Sequence, residues 1–424
     1  MSAPGKVSLQ TRGVADHVDI ISGRARRRLE TAVAAVAGLI PLIVMVSANA
    51  LAPLIIILAI GVVLWGPRRE LFRYGPRQVA VALALLATLG LASTAWSIVP
   101  KLSVHKFFQL LPLFAAACIV VAAARQLPTL LRDRAGRWLA IGIVVAALLV
   151  AAEAALGGPL NHLLTTAILH ENEIMLRYKR GATVLALLAG PAAYWALSKG
   201  SFVWLAMILG AVLSTAILVG SGTAGVAIVV GCLGVLLTRR LPSVSRIGLA
   251  AFLVVLVLGA PLVRFAPNEV PATAIHEIQS GGLYRVNSAV HRLLIWQFVG
   301  ERIAERPMLG WGLDSSRAVP GGQDNVQGYS ERLPLHPHNA ALQLWLELGF
   351  FGSILGAFIV AWIVLGVEDR IAAGLAQAVA VGVVAAAAAV AFLGFGIWQS
   401  WWVGTLGLVS MCTVAVLPPR TEPT

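Results

Sequence analysis

A chain of 424 residues that is 58% hydrophobic and only 12% charged, with a mean hydropathy of +0.85, lies far from a soluble domain, where about a quarter of residues are charged. It reads as an integral membrane protein. The net charge of +13 would suit a nucleic-acid partner, but membrane topology accounts for the basic positions better, so membrane lipids are the expected surroundings and no nucleic acid is expected. Cys118, Cys232 and Cys412 all fall in apolar runs and read as small buried hydrophobes, not as a disulfide or zinc set.

In chain order, residues 1–30 form a polar segment with Lys6, Arg12, Arg24, Arg26, Arg27 and Arg28. It is too long for a removable signal peptide, has no small-residue cleavage site, and is expected to stay in the cytoplasm. Twelve apolar runs follow, near 31–49, 51–66, 78–95, 107–124, 137–156, 181–199, 201–219, 222–238, 246–264, 340–364, 371–396 and 399–417. Each approaches the roughly 20 residues that a bilayer core requires, and none alternates as the strands of a membrane barrel do. Tight turns are expected near Asn49, Gly200 and Gly220. The predicted architecture is all-α: a polytopic membrane protein of about twelve transmembrane helices, nine within 31–264 and three within 340–417. A partly helical loop over 265–339 separates the two sets, and a short tail of 418–424 ends the chain.

Orientation follows from the basic residues. With the N-terminus inside, cytoplasmic segments carry 20 of the 32 lysines and arginines, and among the short loops the bias is clear. Both termini are then cytoplasmic. The 265–339 loop faces the periplasm, beside Lys101 and Lys106 before the fourth helix and Arg177, Lys179 and Arg180 before the sixth. A loop of that length is expected to be functional or to have structure of its own.

The spacing predicts a loop helix over about Asn287–Glu305, stopped by Pro307 and followed by a Gly310-Trp311-Gly312 turn. Arg285, Arg292 and Trp296 share one face, which would look into a cavity, and Val290, Leu293 and Leu294 form a stripe that could lie on the membrane domain. At the loop's end, His336-Pro337-His338-Asn339 runs directly into the apolar tenth helix. An imidazole that can take or give a proton near neutral pH thus sits where a polar loop meets hydrocarbon. Trp345 lies below His338 on that helix, and Glu347 points to the opposite side. Trp398, Trp401 and Trp402 read as an aromatic belt, and Ser221-Gly222-Thr223-Ala224-Gly225 as close helix packing.

The His338 motif, in which ten residues separate His338 from Gly349 and which includes Asn339, Gln343, Glu347, Leu348 and Gly352, resembles the histidine motif of the O-antigen ligase and polymerase superfamily. Arg292, Trp296, Ile303, Pro307 and Gly310-Trp311-Gly312 resemble a segment in that family's large periplasmic loop, and Ser93-Thr94-Ala95-Trp96-Ser97 the Trp-Ser at the end of its third helix. In architecture the resemblance covers nearly the whole chain; in motifs it covers about 60 residues near the loop. Family members often open a mid-chain helix with a Ser-Arg pair, whereas this chain has Ser221-Gly222. The phosphate-binding role then falls on another cation: Arg180, with Arg177 beside it and Lys179 as helper.

The resemblance implies transfer of a glycan from undecaprenyl pyrophosphate to a sugar hydroxyl, for a ligase that of lipid A-core in lipopolysaccharide biosynthesis. The residues suit this chemistry. His338 can act as general base, while Arg180, Arg292 and Arg177 offer fixed bidentate donors to pyrophosphate. Lys179, Lys106, Arg285, Asn339, Trp345 and His336 are possible helpers. No Asp/Glu/His set of metal-site spacing appears on that face, so a metal-independent reaction without cofactors is expected. An O-antigen polymerase or a protein O-oligosaccharyltransferase would use the same groups. A lipid or solute transporter would instead need ionisable residues in mid-membrane. The sequence leaves the oligomeric state open.

Overall fold

Caps and helix breakers in the sequence divide the chain into helices at the places the apolar runs suggest. The computed structural model describes residues 28, 30–66, 75–159, 163, 178–265, 284–324 and 331–420. Among them the chain is helical, with one isolated antiparallel bridge between Ile371 and Pro419. The helices are α1 (Glu30–Val46), α2 (Leu51–Trp65), α3 (Arg77–Ala92), α4 (Pro100–Arg125), α5 (Thr129–Ala155), α6 (Lys179–Ser198) and α7 (Phe202–Leu218). They continue with α8 (Gly222–Arg240), α9 (Pro242–Gly259), α10 (Tyr284–Glu305), α11 (Ala340–Leu365), the four-residue α12 (Val367–Arg370), α13 (Leu375–Leu393) and α14 (Ser400–Val416).

Nine spans among the described residues are long and apolar enough to cross a membrane, and α1, α7 and α14 are apolar but shorter. The expected twelve runs are all present as helices, and the chain is an all-α, multi-pass membrane protein. The largest boundary differences have local causes. Pro100 occupies the first turn of α4, where its missing N–H costs nothing, so Lys101 and Lys106 lie on that helix and not before it. Ser201 and Ser221 accept backbone N–H groups at the starts of α7 and α8. Gly200 and Gly220 supply the left-handed turns ahead of them.

Small residues let the membrane helices approach. A Cβ on Gly234 in α8 would stand 3.0 Å from the Cα of Gly382 in α13, whereas Gly222 and Gly225 have nothing within 4 Å. Within the Ser221–Gly225 run Ser221 and Ala224 are buried while the two glycines are open, and the glycine-to-glycine contact lies further along α8. At the end of the bundle opposite the loop, Arg132 donates to the carbonyls of Leu127, Val414 and Leu417 at 2.8, 2.6 and 2.9 Å, and Arg246 pairs with Glu368.

Two features shape the loop end. The first is α10, which buries Ile295, Phe298, Val299 and Ile303 together with Trp311 and Leu333. Leu293 is half exposed, so the stripe predicted through Val290, Leu293 and Leu294 is corrected at Leu293; the Val290 side chain lies outside the described residues. Among the described side chains the packing face comprises Ile295, Phe298, Val299 and Ile303, the i, i+3, i+4, i+8 rhythm. The second is a break in α11 at Gly349, whose φ of 62° and ψ of −156° leave the helix.

The broken turn is completed from outside. Trp311 and Gly312 donate their backbone N–H groups to Leu346 and Glu347, both at 2.8 Å, and Phe350 donates to Pro307 at 2.9 Å. The turn is held on its other side by the 93–103 segment. Ser93 Oγ accepts the Leu313 N–H at 3.0 Å, Ser103 Oγ donates to the Leu313 carbonyl at 2.6 Å, and the Trp96 indole donates to Leu309 at 3.1 Å. A Cβ on Gly312 would lie 2.3 Å from Ser97 Oγ. The Trp96-Ser97, Gly310-Trp311-Gly312 and Gly349 motifs thus form one interlocked backbone joint.

Candidate functional site

The joint leaves the His336–Asn339 turn at the mouth of α11. His338 sits at φ 54°, a left-handed conformation that costs a non-glycine residue energy and is kept where surroundings impose it. Asn339 follows in extended backbone, and its side-chain oxygen caps α11 by accepting the Ala341 and Leu342 N–H groups at 3.0 and 3.1 Å. The kinked turn brings the two histidine rings within 4.2 Å of each other.

Their protons are constrained. His338 Nδ1 lies 2.7 Å from the carbonyl oxygen of Gly394. A carbonyl only accepts, so Nδ1 carries the hydrogen and Nε2 of the neutral ring keeps a lone pair. His336 accepts the His338 backbone N–H at Nδ1, 3.2 Å away, and its Nε2 faces the Gln399 amide at 3.1 Å. Burial lowers the pKa of His338, the Gly394 hydrogen bond opposes this, and the charges of Arg292 and His291 lower it further. His336 is pushed down to about 3 by burial, then by His338 and Arg317. Both shifts favour the neutral ring.

The linker between α13 and α14, 394–399, forms one wall. It supplies the Gly394 carbonyl and Gln399, and a Cβ on Gly396 would meet the His336 ring at 2.7 Å. Trp398, Trp401 and Trp402 are buried, at 3%, 5% and 0% exposure. The aromatic-belt reading is corrected: these indoles pack inside the bundle. Trp398 donates to Glu347 at 2.7 Å and Trp401 donates to Gln399 at 2.9 Å.

Arg292 acts electrostatically on His338 and Arg317 on His336. Trp296 donates its indole N–H to the Pro337 carbonyl at 2.9 Å, which docks α10 on the histidine turn and puts Arg292, one helical turn earlier, within electrostatic reach of His338. Arg180, exposed at the start of α6, lies over the Trp401 ring at 5.1 Å. It thereby joins the wall that carries Gln399. Lys179 is half-buried beside it, its carbonyl facing Ser221 Oγ at 3.5 Å. Lys106 pairs with Asp314 at 3.6 Å. Arg177 lies outside the described residues, and Arg285 is in the first turn of α10.

Two expected helpers have structural tasks: Asn339 is the cap, and Trp345 is a buried anchor donating to Val257 at 2.8 Å. Sequence reasoning missed Arg317 and Gln399. Arg317 is exposed and acts electrostatically on both Asp314 and His336. Its sequence signal was only a charge shortly after the Gly310-Trp311-Gly312 turn. Burial raises the pKa of Asp314 against the opposing pull of Lys106 and Arg317.

This arrangement can take a proton at one fixed nitrogen and hold a polyanion beside it. Residues 209–357, which include Arg292, Arg317, His338 and Gly349, match the family model described as O-antigen ligase. Three proteins named as candidate polysaccharide ligases are similar to this chain. That of Rickettsia conorii is 35% identical over 125 residues, covering 28% of this chain and 29% of its own length. That of Rickettsia prowazekii is 37% identical over 120 residues (27% and 29%), and that of Rickettsia typhi 33% over 132 residues (30% and 32%). The alignment spans about three tenths of the length of these curated relatives. The likeness to the O-antigen ligase model thus lies in residues 209–357, and the likeness to the named polysaccharide ligases covers under a third of this chain.

Proposed function

We propose that the chain is an O-antigen ligase that transfers a glycan from undecaprenyl pyrophosphate to a sugar hydroxyl of lipid A-core. The reaction would take place on the periplasmic face of the bacterial inner membrane. The observation that carries this reading is the fixed Nδ1–H tautomer of His338, which leaves Nε2 as a proton acceptor beside Arg292. In the proposed step the acceptor oxygen bonds to the anomeric carbon as its proton passes to Nε2. The bond from that carbon to the pyrophosphate oxygen breaks, and the leaving group departs with the electron pair. Arg292, Arg180 and Arg317 would stabilise the departing charge, which guanidinium groups do without losing their own protons. The sugar–pyrophosphate bond supplies the driving force, so neither ATP nor a metal has a necessary part.

The chain's own motif match and the polysaccharide-ligase names of its relatives favour a ligase over a transporter. So does the use of Glu347, an intramembrane acid, as a hydrogen-bond acceptor inside the protein. Deleting the protein from its host and running lipopolysaccharide on a gel tests the reading. A ligase predicts loss of the long ladder with an intact core band and accumulation of lipid-linked glycan. A core carrying a single repeat unit would make it a polymerase.

A further inference from the structure

Glu347 has no exposed surface, and its carboxylate accepts hydrogen bonds from three different segments. One oxygen takes the Trp398 indole N–H at 2.7 Å and the Asp314 backbone N–H at 2.5 Å. The other takes the Gln343 amide at 3.0 Å and the Ser316 hydroxyl. Gln343 in turn accepts the Ile397 N–H at 2.9 Å. A buried carboxylate is costly unless its oxygens are satisfied, and one satisfied by separate segments fixes their relative positions.

The segments so fixed are the two walls of the site. Asp314 and Ser316 immediately precede Arg317 on the loop side. Ile397 and Trp398 lie on the linker between Gly394, whose carbonyl orients His338, and Gln399, which faces His336. The Glu347 carboxylate bonds these groups and Gln343 and, among the described residues, neither histidine. We infer that Glu347 is a positioning residue: it ties the Arg317 side of the site to the linker that aims His338, and so acts on the transfer through His338. The inference rests on the reading of His338 as the base.

The test uses the purified full chain with lipid-linked glycan and a core acceptor. Trp398→Phe, which keeps the ring bulk and removes the N–H, and Glu347→Gln are measured alone and in a His338→Ala background. Glu347→Leu is left out because it could prevent folding. Loosened aim predicts a fall in kcat of about 10- to 100-fold with KM for the donor unchanged, and a much smaller further loss of the residual rate when His338 is already alanine. Unchanged kcat in both variants, or losses that multiply with that of His338→Ala, overturn the inference while leaving the base reading intact. Normal transfer by His338→Ala alone overturns both.

Discussion

His338 Nδ1 donates to the Gly394 carbonyl at 2.7 Å, across 56 residues of sequence. A backbone oxygen on the α13–α14 linker thus fixes which nitrogen of a loop histidine is free, and the consequences of that bond can be measured.

The pH profile is the first. A base acts when neutral, and burial together with Arg292 and His291 lowers the pKa of His338. A lowered pKa keeps the ring neutral to lower pH, so the acidic limb of the transfer rate should have its midpoint below the ordinary histidine value of about 6.5. An acidic limb at or above 6.5 would contradict the buried site. The stability sign is the same. For His336, held neutral down to about 3, the contribution to folding is complete above about 6.5 and is lost as pH falls from there toward 3.

The arginines give the second. Arg292→Lys and Arg180→Lys keep the charge but remove the planar fork, so each should reduce transfer at least several-fold, with KM for the lipid-linked donor raised. Arg180 also stands over the Trp401 ring, which a lysine engages less well. Full activity of both variants in a purified assay would reduce them to interfacial anchors.

Gly349→Ala tests the joint in α11. A Cβ there would stand 2.3 Å from the Met308 carbonyl oxygen, at a φ of 62°. Backbone strain of this kind costs about 1–3 kcal/mol before the clash is counted. The variant should show a lower unfolding midpoint in detergent and reduced transfer. An unchanged midpoint would mean that the turn at 307–312 does not depend on the break.

Metal chemistry is tested by chelation. Among the described residues no three His, Cys, Asp or Glu side chains come together as a metal site would require. Transfer is predicted to persist in excess EDTA without ATP. Loss on chelation with recovery on adding magnesium would sink the metal-free mechanism.

How much of this could be read from the sequence differs by feature. Twelve apolar runs were legible because bilayer thickness sets helix length whatever the packing, and Pro307 and Gly310 marked the end of α10 correctly. The motifs near Ser97, Gly312 and Gly349 were visible, but their meeting was not. It is made by side chains of the 93–103 segment on the backbone of a turn more than 200 residues away, as in the Ser103 Oγ to Leu313 carbonyl bond. The tryptophans of α14 and its linker were misread because indoles near a helix end look alike whether they face lipid or a buried carboxylate such as Glu347. Nothing in the residue type of Gly394 could reveal that its carbonyl orients His338.

The most direct measurement of the central claim is transfer by purified His338→Ala, supplied with lipid-linked glycan and core acceptor, beside His336→Ala in the same assay. The account predicts that His338→Ala inserts normally and loses transfer by at least about 100-fold, the range of a general base, while His336→Ala, which loses the ring beside His338 and its contacts to the His338 N–H and Gln399 but not the base, is milder. Near-normal transfer by the His338 variant would contradict the account.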